Sequence, residues 1–466
     1  MDIVIVCLYL IITITIGVVS KRRASSSSSF HGEGLPLLFC IVIGAGEWMG
    51  GTSTTGVAEY GYMYGLSGAW YTIANGIGIA FCGLFFARLY RSLKTSTISA
   101  IIGRYYKSTS VRAIAGICLI VCMIAVGASQ IVALGVLGNY VFGFDVKIAI
   151  VVIGIAVTLY TMLGGMNAVG NTNYLHLIML YVGVFASLIW LTFYKADLST
   201  LKASLPAQSF SFDAIGWNRI SSWLVASVLG ACTAQAGIQP ILVAKDEATA
   251  VKSSLWIAIL VAPFGILTAL LGMYSRYLAP ELSSPKEALI SIVPLLPDFL
   301  GGLLLSGLLA AVLSTAAPIF LSSSTLFTRD IWCNIIDREG DEKRTLKVSR
   351  IATVMAGVVC IVLALVFYDS TAILDIVYFA YSLRGSIFIV LLLGIYWRKA
   401  SAKGATIGLC GTLAIGLFWV VYQRVVGSYP IAPWFSETYA SMLAALVFTV
   451  LGSRLPEERR VSGKLS

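Results

Sequence analysis

About thirteen stretches of mostly apolar residues, each near 20 residues long, constrain this chain more than any other feature. They run over residues 2–20, 36–57, 67–88, 112–138, 146–163, 171–194, 221–243, 254–275, 296–325, 350–367, 372–396, 404–422 and 433–452. Because about 20 apolar residues cross a bilayer as a helix, each is a candidate transmembrane helix. Of the 466 residues, 58% are apolar and 12% are charged, against about 45–50% and 25% in soluble domains. The sequence predicts an all-α polytopic membrane protein and excludes a soluble enzyme, a nucleic-acid-binding protein and a disordered scaffold.

The formal net charge of +10 marks membrane topology rather than a nucleic-acid partner. Most of the 32 Lys and Arg residues fall in one alternating set of loops, and the positive-inside rule places that set in the cytoplasm. An odd number of spans then predicts an outside N-terminus and a cytoplasmic C-terminus, in a multi-pass protein of the plasma membrane. Lys21, Arg22 and Arg23 follow the first apolar stretch, so we expect a retained span there rather than a signal peptide.

The polar segments are short, which limits the possible functions. We expect residues 326–349 to form a cytoplasmic loop, residues 195–219 an external one, and residues after 452 a short tail. No phosphate-binding loop motif occurs, so an ATP-driven pump is not expected from this chain alone. The nine cysteines show no metal-ligand spacing and are interpreted as packing residues. A channel, a secondary transporter and a membrane-embedded enzyme remain.

Two of the predicted spans contain residues that a lipid-facing helix avoids. Residues 39–51 include four glycines with Glu47 among them, and residues 230–240 include Gly237, Gln235, Gln239 and Pro240. Non-helical backbone at membrane depth is tolerated where it is buried or lines a wet cavity. If the first span is a leader, these are the first helices of two five-helix units, the position where transporters bind substrate. Close helix packing through small residues is the alternative interpretation.

Several motifs, in this order and spacing, resemble those of the sodium:solute symporter family, which contains the proline, sialic acid, sugar and choline symporters. They are Trp48-Met49-Gly50-Gly51, Tyr64-Gly65-Leu66-Ser67-Gly68-Ala69-Trp70, Gly83-Leu84-Phe85-Phe86-Ala87-Arg88, Tyr160-Thr161-Met162-Leu163-Gly164-Gly165, Ala244-Lys245-Asp246-Glu247, Ala311-Val312-Leu313-Ser314-Thr315 and Leu393-Gly394-Ile395-Tyr396-Trp397-Arg398. The resemblance implies a LeuT-like fold of two inverted five-helix repeats. We therefore expect one transporter domain over residues 1–466, with a leader helix (2–20), two repeats (36–194 and 221–396), two C-terminal helices (404–452) and a tail (453–466).

A candidate cation site lies in the ninth predicted span. Ala311, Ser314 and Thr315 occupy positions i, i+3 and i+4, which share one face of a helix. The resemblance implies that the Ala311 carbonyl and the two hydroxyls bind sodium as the coupling ion. It also implies that the carbonyls of Cys40 and Ile43 complete the site, with no organic cofactor. Alternatively, both hydroxyls only bond to carbonyls of their own helix.

Two departures from the family pattern bear on stoichiometry. Many members have Thr-Asp where this chain has Thr172-Asn173, and Asp-Ser where it has Ala317-Pro318. In members resembling the sialic acid transporter, those positions help to build a second sodium site. We therefore expect a single coupled sodium. His176 could instead accept a proton, although a lone membrane histidine is more often structural.

Glu47 and Arg384 are the charges least expected within their spans. Charged residues at this depth usually face the protein interior and have a partner. Either the two side chains pair with each other, or Glu47 holds a substrate ammonium while Arg384 holds a carboxylate or gates access. Further candidate substrate contacts are Trp48, Gln130, Thr233, Gln235 and Tyr381.

The substrate class follows in part from what is missing. In the choline branch, aromatic side chains surround the quaternary ammonium, and this chain has Ile77, Val126 and Ala234 at three of those positions. Pro240 also replaces an arginine that is common after the glutamine. Choline is therefore disfavoured, and a small charged or zwitterionic metabolite is expected.

The predicted function is sodium-coupled import of such a metabolite by alternating access. Proton-coupled or uncoupled transport by the same fold, and a non-transporting solute sensor, are the alternatives. An enzyme is not expected, because no nucleophile–base pair or ligand cluster appears in the sequence. The expected partners are the solute, sodium and the lipid bilayer, without nucleic acid, for a monomer or weak oligomer.

Overall fold

The computed structural model describes residues 2–21, 34–337, 341–369, 371 and 373–455, with the side chains of residues 2, 3, 17–21 and 163–169 outside the description. The secondary-structure elements of this part are helices, apart from one isolated bridge. The α-helices are α1 Asp2–Lys21, α2 Leu37–Trp48, α3 Val57–Tyr64, α4 Trp70–Phe85, α5 Ala87–Ser92, α6 Ile98–Tyr105, α7 Thr109–Phe142, α8 Val146–Tyr194, α9 Leu198–Ser204, α10 Trp217–Ala231, α11 Gln235–Val243, α12 Glu247–Leu278, α13 Ala288–Ser291, α14 Asp298–Thr325, α15 Glu342–Phe367, α16 Ile373–Tyr396, α17 Ala402–Val426 and α18 Glu437–Arg454. Two π-helical segments, Thr52–Gly56 and Leu326–Ile336, and four short 3₁₀ segments (Gly65–Ala69, Ala207–Phe210, Pro285–Glu287 and Val293–Leu295) join them.

Nine helical segments of the described residues are long and apolar enough to cross a membrane. Shorter apolar helices cover Val4–Ile16, Leu37–Trp48 and Val146–Met162. The expected all-helical membrane architecture is confirmed, whereas the expected number of about thirteen spans is not. One reason is that the predicted spans 146–163 and 171–194 both lie within the single helix α8.

The expectation of a loop over residues 326–349 is wrong for most of that range, because residues 326–336 and 342–349 are helical. Leu326–Ile336 continues α14 as a π-helix, and Leu326, Thr328 and Asp330 are buried. Arg329 and Asp330 read as loop residues in sequence, but both find polar partners on other segments. The helix therefore continues through these two charged residues instead of ending before them.

Polar side chains begin the helices at the membrane edges. Asp197 accepts a hydrogen bond from the Thr200 amide at 2.8 Å, and Asp246 accepts one from the Thr249 amide at 2.7 Å. Bonds to the charged form lower the pKa of both carboxyl groups, that of Asp197 to about 2, since they stabilise the carboxylate. These caps fix the residues at which α9 and α12 begin.

The two interrupted helices are broken where the sequence predicts. The first runs through α2 to Trp48, loses helical geometry over residues 49–51, and resumes as the π-helical segment and α3. The second ends at Ala231 and restarts at Gln235 as α11, which contains Pro240. Both breaks are buried, as the placement of non-helical backbone requires.

A short main-chain clasp joins the residue before the start of α2 to the residues at the end of α11. The Leu35 amide donates to the Val243 carbonyl at 3.0 Å, and the Lys245 amide donates to the Leu35 carbonyl at 2.9 Å. These bonds form a parallel bridge between Leu35 and Ala244. The residue before α2 is thereby tied to the residue after α11.

Candidate functional site

The hydroxyls of Ser314 and Thr315 face main-chain carbonyls at the end of α2. Ser314 Oγ donates to the Gly46 carbonyl at 2.8 Å and to the Ala311 carbonyl at 2.9 Å. Thr315 Oγ1 lies 3.0 Å from the carbonyl oxygens of both Gly46 and Glu47, and 3.1 Å from that of Ala311. Five oxygens of α2 and α14 thus converge in a buried place. Carbonyl oxygens at the end of a broken helix are the ligands that bind sodium in transporters.

The structure gives these hydroxyls different carbonyl partners from those the resemblance implied. Cys40 and Ile43 lie within the regular part of α2, one to two turns before the break. Carbonyls inside a helix bond to amides four residues later, which occupies them. The Cys40 side chain instead contacts the Pro240 carbonyl at 3.5 Å. The converging carbonyls are those of Gly46 and Glu47, three and four residues after Ile43.

Gln130 of α7 holds the first break open. Its Oε1 accepts a hydrogen bond from the Gly51 amide at 2.7 Å, so that amide does not close the helix onto the Glu47 carbonyl. A Cβ at Gly50 would overlap Thr315 Oγ1 and would lie 2.6 Å from Gln130 Oε1. Gln130 therefore shapes the backbone of the site through its carbonyl oxygen.

Glu47 and Arg384 are both buried, at 6% and 1% exposure, but they are not paired. Within the described residues the ion pairs are Arg112–Asp330, Lys147–Asp369 and Arg344–Asp337. Arg384 Nη2 contacts Met123 Sδ at 3.9 Å, and its buried Nε has no hydrogen-bond partner there. Two opposite charges thus share one region of the protein interior without neutralising each other directly. Buried charges usually require a partner.

Aromatic rings form one wall beside these charges. The Arg384 guanidinium carbon lies 5.1 Å from the Tyr381 ring centroid, a cation–π distance. The ring of Trp48 meets that of Tyr381 edge-on at 6.2 Å, and Trp48 also packs where a Cβ on Gly237 would lie. The structure therefore brings together four of the predicted substrate residues: Glu47, Trp48, Tyr381 and Arg384.

Tyr71 belongs to the same wall, although sequence reasoning missed it. Its hydroxyl lies 3.1 Å from that of Tyr381 and 2.9 Å from Thr52 Oγ1. It is 2% exposed. Tyr71 follows Trp70 in an ordinary apolar span, so its sequence carries no signal that distinguishes it from a packing residue.

Thr233 and Gln235 use their side chains to fix the second break. Thr233 Oγ1 donates to the Arg384 carbonyl at 2.6 Å. Gln235 Nε2 donates to the Ser96 carbonyl at 3.0 Å and to Gln239 Oε1 at 2.8 Å. Its Oε1 accepts from the Ile98 amide at 2.9 Å. Both side chains, which the sequence offers as candidate substrate contacts, thus bond to other segments of the protein.

The segment that Gln235 holds, residues 96–99, is also bound from α14's π-helical extension. Asp330 is fully buried and accepts hydrogen bonds from Thr97 Oγ1 at 3.0 Å and Ser99 Oγ at 2.5 Å. It also pairs with Arg112 Nε at 2.7 Å. A buried carboxylate with three donors is well satisfied. We call residues 96–99 the latch segment, because elements of both halves of the chain converge on it.

Asn173 lies next to the candidate cation site. A Cβ on Gly46 would be 2.7 Å from Asn173 Nδ2 and 3.2 Å from Ser314 Cβ. Neither polar atom of this buried amide has a partner among the described residues. Ala317, the first residue of the second departure from the family pattern, packs beside Leu321 and the ring of Tyr160.

His176 follows Asn173 by one turn of α8. Its Nδ1 lies 2.6 Å from the Tyr9 hydroxyl of α1. No carboxylate in the described part of the chain pairs with its ring. The imidazole has a neutral partner, which is what a structural histidine needs.

An all-helical membrane fold with two broken helices, one of which ends beside converging hydroxyl and carbonyl oxygens, is typical of a secondary transporter. Solved structures agree. One described as the substrate-bound outward-open state of a Na+-coupled sialic acid symporter matches with a TM-score of 0.78, 17% identity and 98% coverage of both chains. MhsT in complex with L-phenylalanine matches with a TM-score of 0.58 and 15% identity, over 91% of this chain and 99% of that one. The likenesses show a shared LeuT-like fold.

The sequence places the chain within a family. The model of the sodium:solute symporter family matches residues 39–411, most of the chain, and the protein belongs to that family. A relative from Bacillus subtilis (strain 168), described as the uncharacterized symporter YwcA, is 26% identical over 420 residues, which are 85% of this chain and 81% of the relative. The resemblance inferred from the motifs is confirmed, and the protein is a membrane transporter rather than an enzyme.

Proposed function

We propose that the protein imports a small zwitterionic metabolite together with one sodium ion. The observation that carries this proposal is the convergence of the Ser314 and Thr315 hydroxyls on the Gly46 and Glu47 carbonyls at the first break. Family membership supports sodium-coupled solute transport. The substrate class and the stoichiometry rest on the side chains around the break.

Sodium would replace hydrogen bonds that the cage makes with itself. When the ion enters, each hydroxyl hydrogen turns away, and the hydroxyl oxygen joins the carbonyl oxygens as a ligand. Hydroxyls and carbonyls suit a hard cation, and the carbonyl end of a half-helix adds negative potential. The bound ion then holds the end of α2 against α14.

Glu47 links this ion to the substrate. Its carbonyl belongs to the cation cage, whereas its side chain lies in the region of the buried Arg384 charge. Fixing the main chain of Glu47 therefore also fixes its carboxylate. Two ligands that stabilise the same backbone arrangement raise each other's affinity, which is the basis of coupled transport.

The unpaired charges favour a zwitterion. A substrate ammonium can bind the Glu47 carboxylate while its carboxylate binds the Arg384 guanidinium, and each buried charge then gains its missing partner. The rings of Tyr381, Tyr71 and Trp48 supply an apolar wall beside them. Unpaired buried charges destabilise the empty state, so binding of a zwitterion that pairs both of them favours the loaded state.

A single sodium is supported by the surroundings of Asn173. A second cation at this position would need a carboxylate to offset its dehydration, and the amide carries no charge. Ala317, at the other departure from the family pattern, supplies only a methyl group, which packs beside Leu321 and the ring of Tyr160. Proton coupling through His176 is disfavoured, because a protonated imidazole there would have only the Tyr9 hydroxyl as its observed partner.

The latch segment supports the alternating-access part of the proposal. Residues 96–99 are held by Gln235 of the second broken helix and by Asp330 on the extension of the sodium-binding helix. By the positive-inside rule this end of the molecule faces the cytoplasm, with the N-terminus outside and the C-terminus inside a plasma membrane. Release of the solute and sodium inward then requires that these bonds break. We further propose that one chain suffices, as a monomer or weak oligomer.

Uptake into proteoliposomes with an imposed inward sodium gradient tests the function. A pool of radiolabelled amino acids and other small zwitterions serves as the probe. We expect the gradient to drive accumulation, and the double variant Ser314→Ala/Thr315→Ala to lose it by about 100-fold, since two of five ion ligands disappear. Ser322→Ala is the matched control, because Ser322 Oγ has no hydrogen-bond partner among the described residues.

The result also separates the alternatives. Accumulation that follows a pH gradient without sodium would support proton coupling. Solute binding without any flux would indicate a sensor. Sodium-driven uptake that survives the double variant unchanged would refute the proposed cage.

A further inference from the structure

An apolar groove lies on the membrane-facing surface between α7, the extension of α14 and α15. Its volume is about 470 Å³. The lining residues are Ile120, Ile124, Ser323, Phe327, Trp332, Val348, Ile351, Ala352, Met355, Ala356 and Val359. Ser323 Oγ bonds to the Ile319 carbonyl at 2.9 Å, so the hydroxyl on this wall is already satisfied. The groove is separate from the substrate and cation sites.

The length of the groove matches one leaflet of a bilayer. Val348 and Val359 are eleven residues apart on α15, which corresponds to about 16 Å along the helix axis. Half of the hydrocarbon core of a bilayer is about 15 Å. Ile351 and Met355 are more than half exposed, at 54% and 57%. In a membrane such side chains contact hydrocarbon, and a groove of this length takes a lipid tail lying along the helices.

Selectivity among lipids must come from the headgroup. A tail that enters the groove leaves other tails, so apolar burial alone does not favour one lipid over another. The end of the groove near Val348 lies close to the start of α15, at the membrane edge. What stands at that end decides which lipid binds.

Two basic residues stand there. Arg344 and Lys347 precede Val348 and Ile351 by four residues each, so each lies one helical turn beyond a lining residue on the same face of α15. Both are exposed. Arg344 Nη1 is 3.5 Å from Asp337 Oδ2, a long ion pair in which the arginine is 68% exposed and the aspartate 19%. The exposed side of the guanidinium can therefore bind a phosphate with bidentate bonds. Asp341 and Glu342, at the first turn of α15, are the acidic neighbours.

We propose that this groove binds one acyl chain of an anionic phospholipid of the cytoplasmic leaflet, with its headgroup on Arg344 and Lys347. Basic residues at the cytoplasmic end of a membrane helix attract anionic lipids. The proposal uses the orientation given above but not the transport activity. Because Ser323 and Phe327 belong to the helix that carries Thr315, the lipid also supports the sodium-binding helix from outside.

Lipid retention measures this site without any transport assay. The purified full chain is delipidated, incubated with palmitoyl-oleoyl phosphatidylglycerol or phosphatidylcholine, and analysed by native mass spectrometry and by thermal unfolding. We expect the wild type to retain phosphatidylglycerol preferentially and to unfold at a higher temperature when this lipid is bound. Arg344→Gln/Lys347→Gln should weaken that retention by about tenfold, because two surface charges are removed.

The control is Arg398→Gln/Lys399→Gln, which removes the same charge from two exposed residues after α16. It should keep the wild-type preference. Ala352→Trp fills the groove and should reduce retention of both lipids while the headgroup residues remain. Equal retention of the two lipids by the wild type, or equal loss in both charge variants, would overturn the proposal. A failure of uptake with intact lipid selectivity would instead count against the transport proposal alone.

Discussion

The two helix breaks lie side by side in the protein but are built in opposite ways. At the first, the Gly46 and Glu47 carbonyls accept hydrogen bonds from two hydroxyls of another helix. At the second, Tyr90 donates to the Cys232 carbonyl at 2.9 Å. Gln235 binds the Ser96 carbonyl and the Ile98 amide of the latch segment. The first break therefore offers oxygens that a cation can take over, whereas the second has its groups fixed by larger side chains.

This difference separates a binding site from a support. A hydroxyl turns its hydrogen away at little cost, so the first break can exchange its internal bonds for an ion. The second break has no such freedom, because each amide or phenol bond that it loses leaves a buried group without a partner. Sequence alone grouped both breaks as substrate sites. The hydrogen bonds of the structure favour ion binding at the first break and a supporting role for the second, as proposed above.

The largest effect is expected from Gly50→Ala at the first break. The added methyl group would overlap Thr315 Oγ1, and overpacking of about 1–3 kcal/mol would fall on the cation cage itself. We expect sodium-driven uptake to fall by about 100-fold. Gly56→Ala is the milder control, since its methyl group would come no closer than 3.0 Å to Leu374 and Ile373 and would not touch Ser314 or Thr315. Equal losses in the two variants would remove the special status of the first break.

Gln130→Leu should have the next largest effect. It leaves the Gly51 amide buried without its acceptor, at a cost of about 1–3 kcal/mol. The amide can then pair with the Glu47 carbonyl and withdraw it from the cage. We expect the sodium concentration for half-maximal uptake to rise by about tenfold, with the maximal rate less affected. An unchanged sodium requirement would show that Gln130 does not shape the site.

Gln235→Leu tests the second break, where we expect a change of conformation rather than of ion affinity. The latch segment loses the bond that its Ser96 carbonyl accepts from Gln235 and the bond that its Ile98 amide donates to Gln235. The cytoplasm-open state should therefore become more populated by a factor of about ten. Labelling of a cysteine placed in the inward path should accelerate while sodium affinity changes less. Asp330→Asn, which weakens the same segment from the other side, should act alike. Unaltered labelling in both variants would contradict the role of the latch.

The smallest effect is expected from Asn173→Asp. The new carboxylate would stand beside the cation cage, where the amide has no partner among the described residues. We expect the sodium dependence of uptake to steepen from a Hill coefficient near one toward a higher value, with little change in rate. A wild-type coefficient already clearly above one would refute the single-sodium proposal.

Sequence reasoning located the two breaks because glycine, proline and charge are rare in apolar spans. It also singled out Ser314 and Thr315, because they share one helix face with Ala311 and match a motif of the family. It could not choose the carbonyls opposite them, since every residue has a carbonyl and only the register of α2 against α14 decides which ones converge. Tyr71 and Asp330 escaped notice for a related reason. One looks like a packing residue and the other like a loop residue until the packing of distant segments is known.

The clasp between Leu35 and Ala244 has a consequence for how such a protein changes its solute during evolution. Its two bonds, each contributing about 0.5–1.5 kcal/mol, are made by main-chain atoms alone. Nearly any side chain can therefore be replaced around it without altering the energy needed to separate the ends of α2 and α11. The residues that choose the solute can then diverge while the share of the resistance to inward opening that these two bonds supply, in addition to that of the latch segment, is kept.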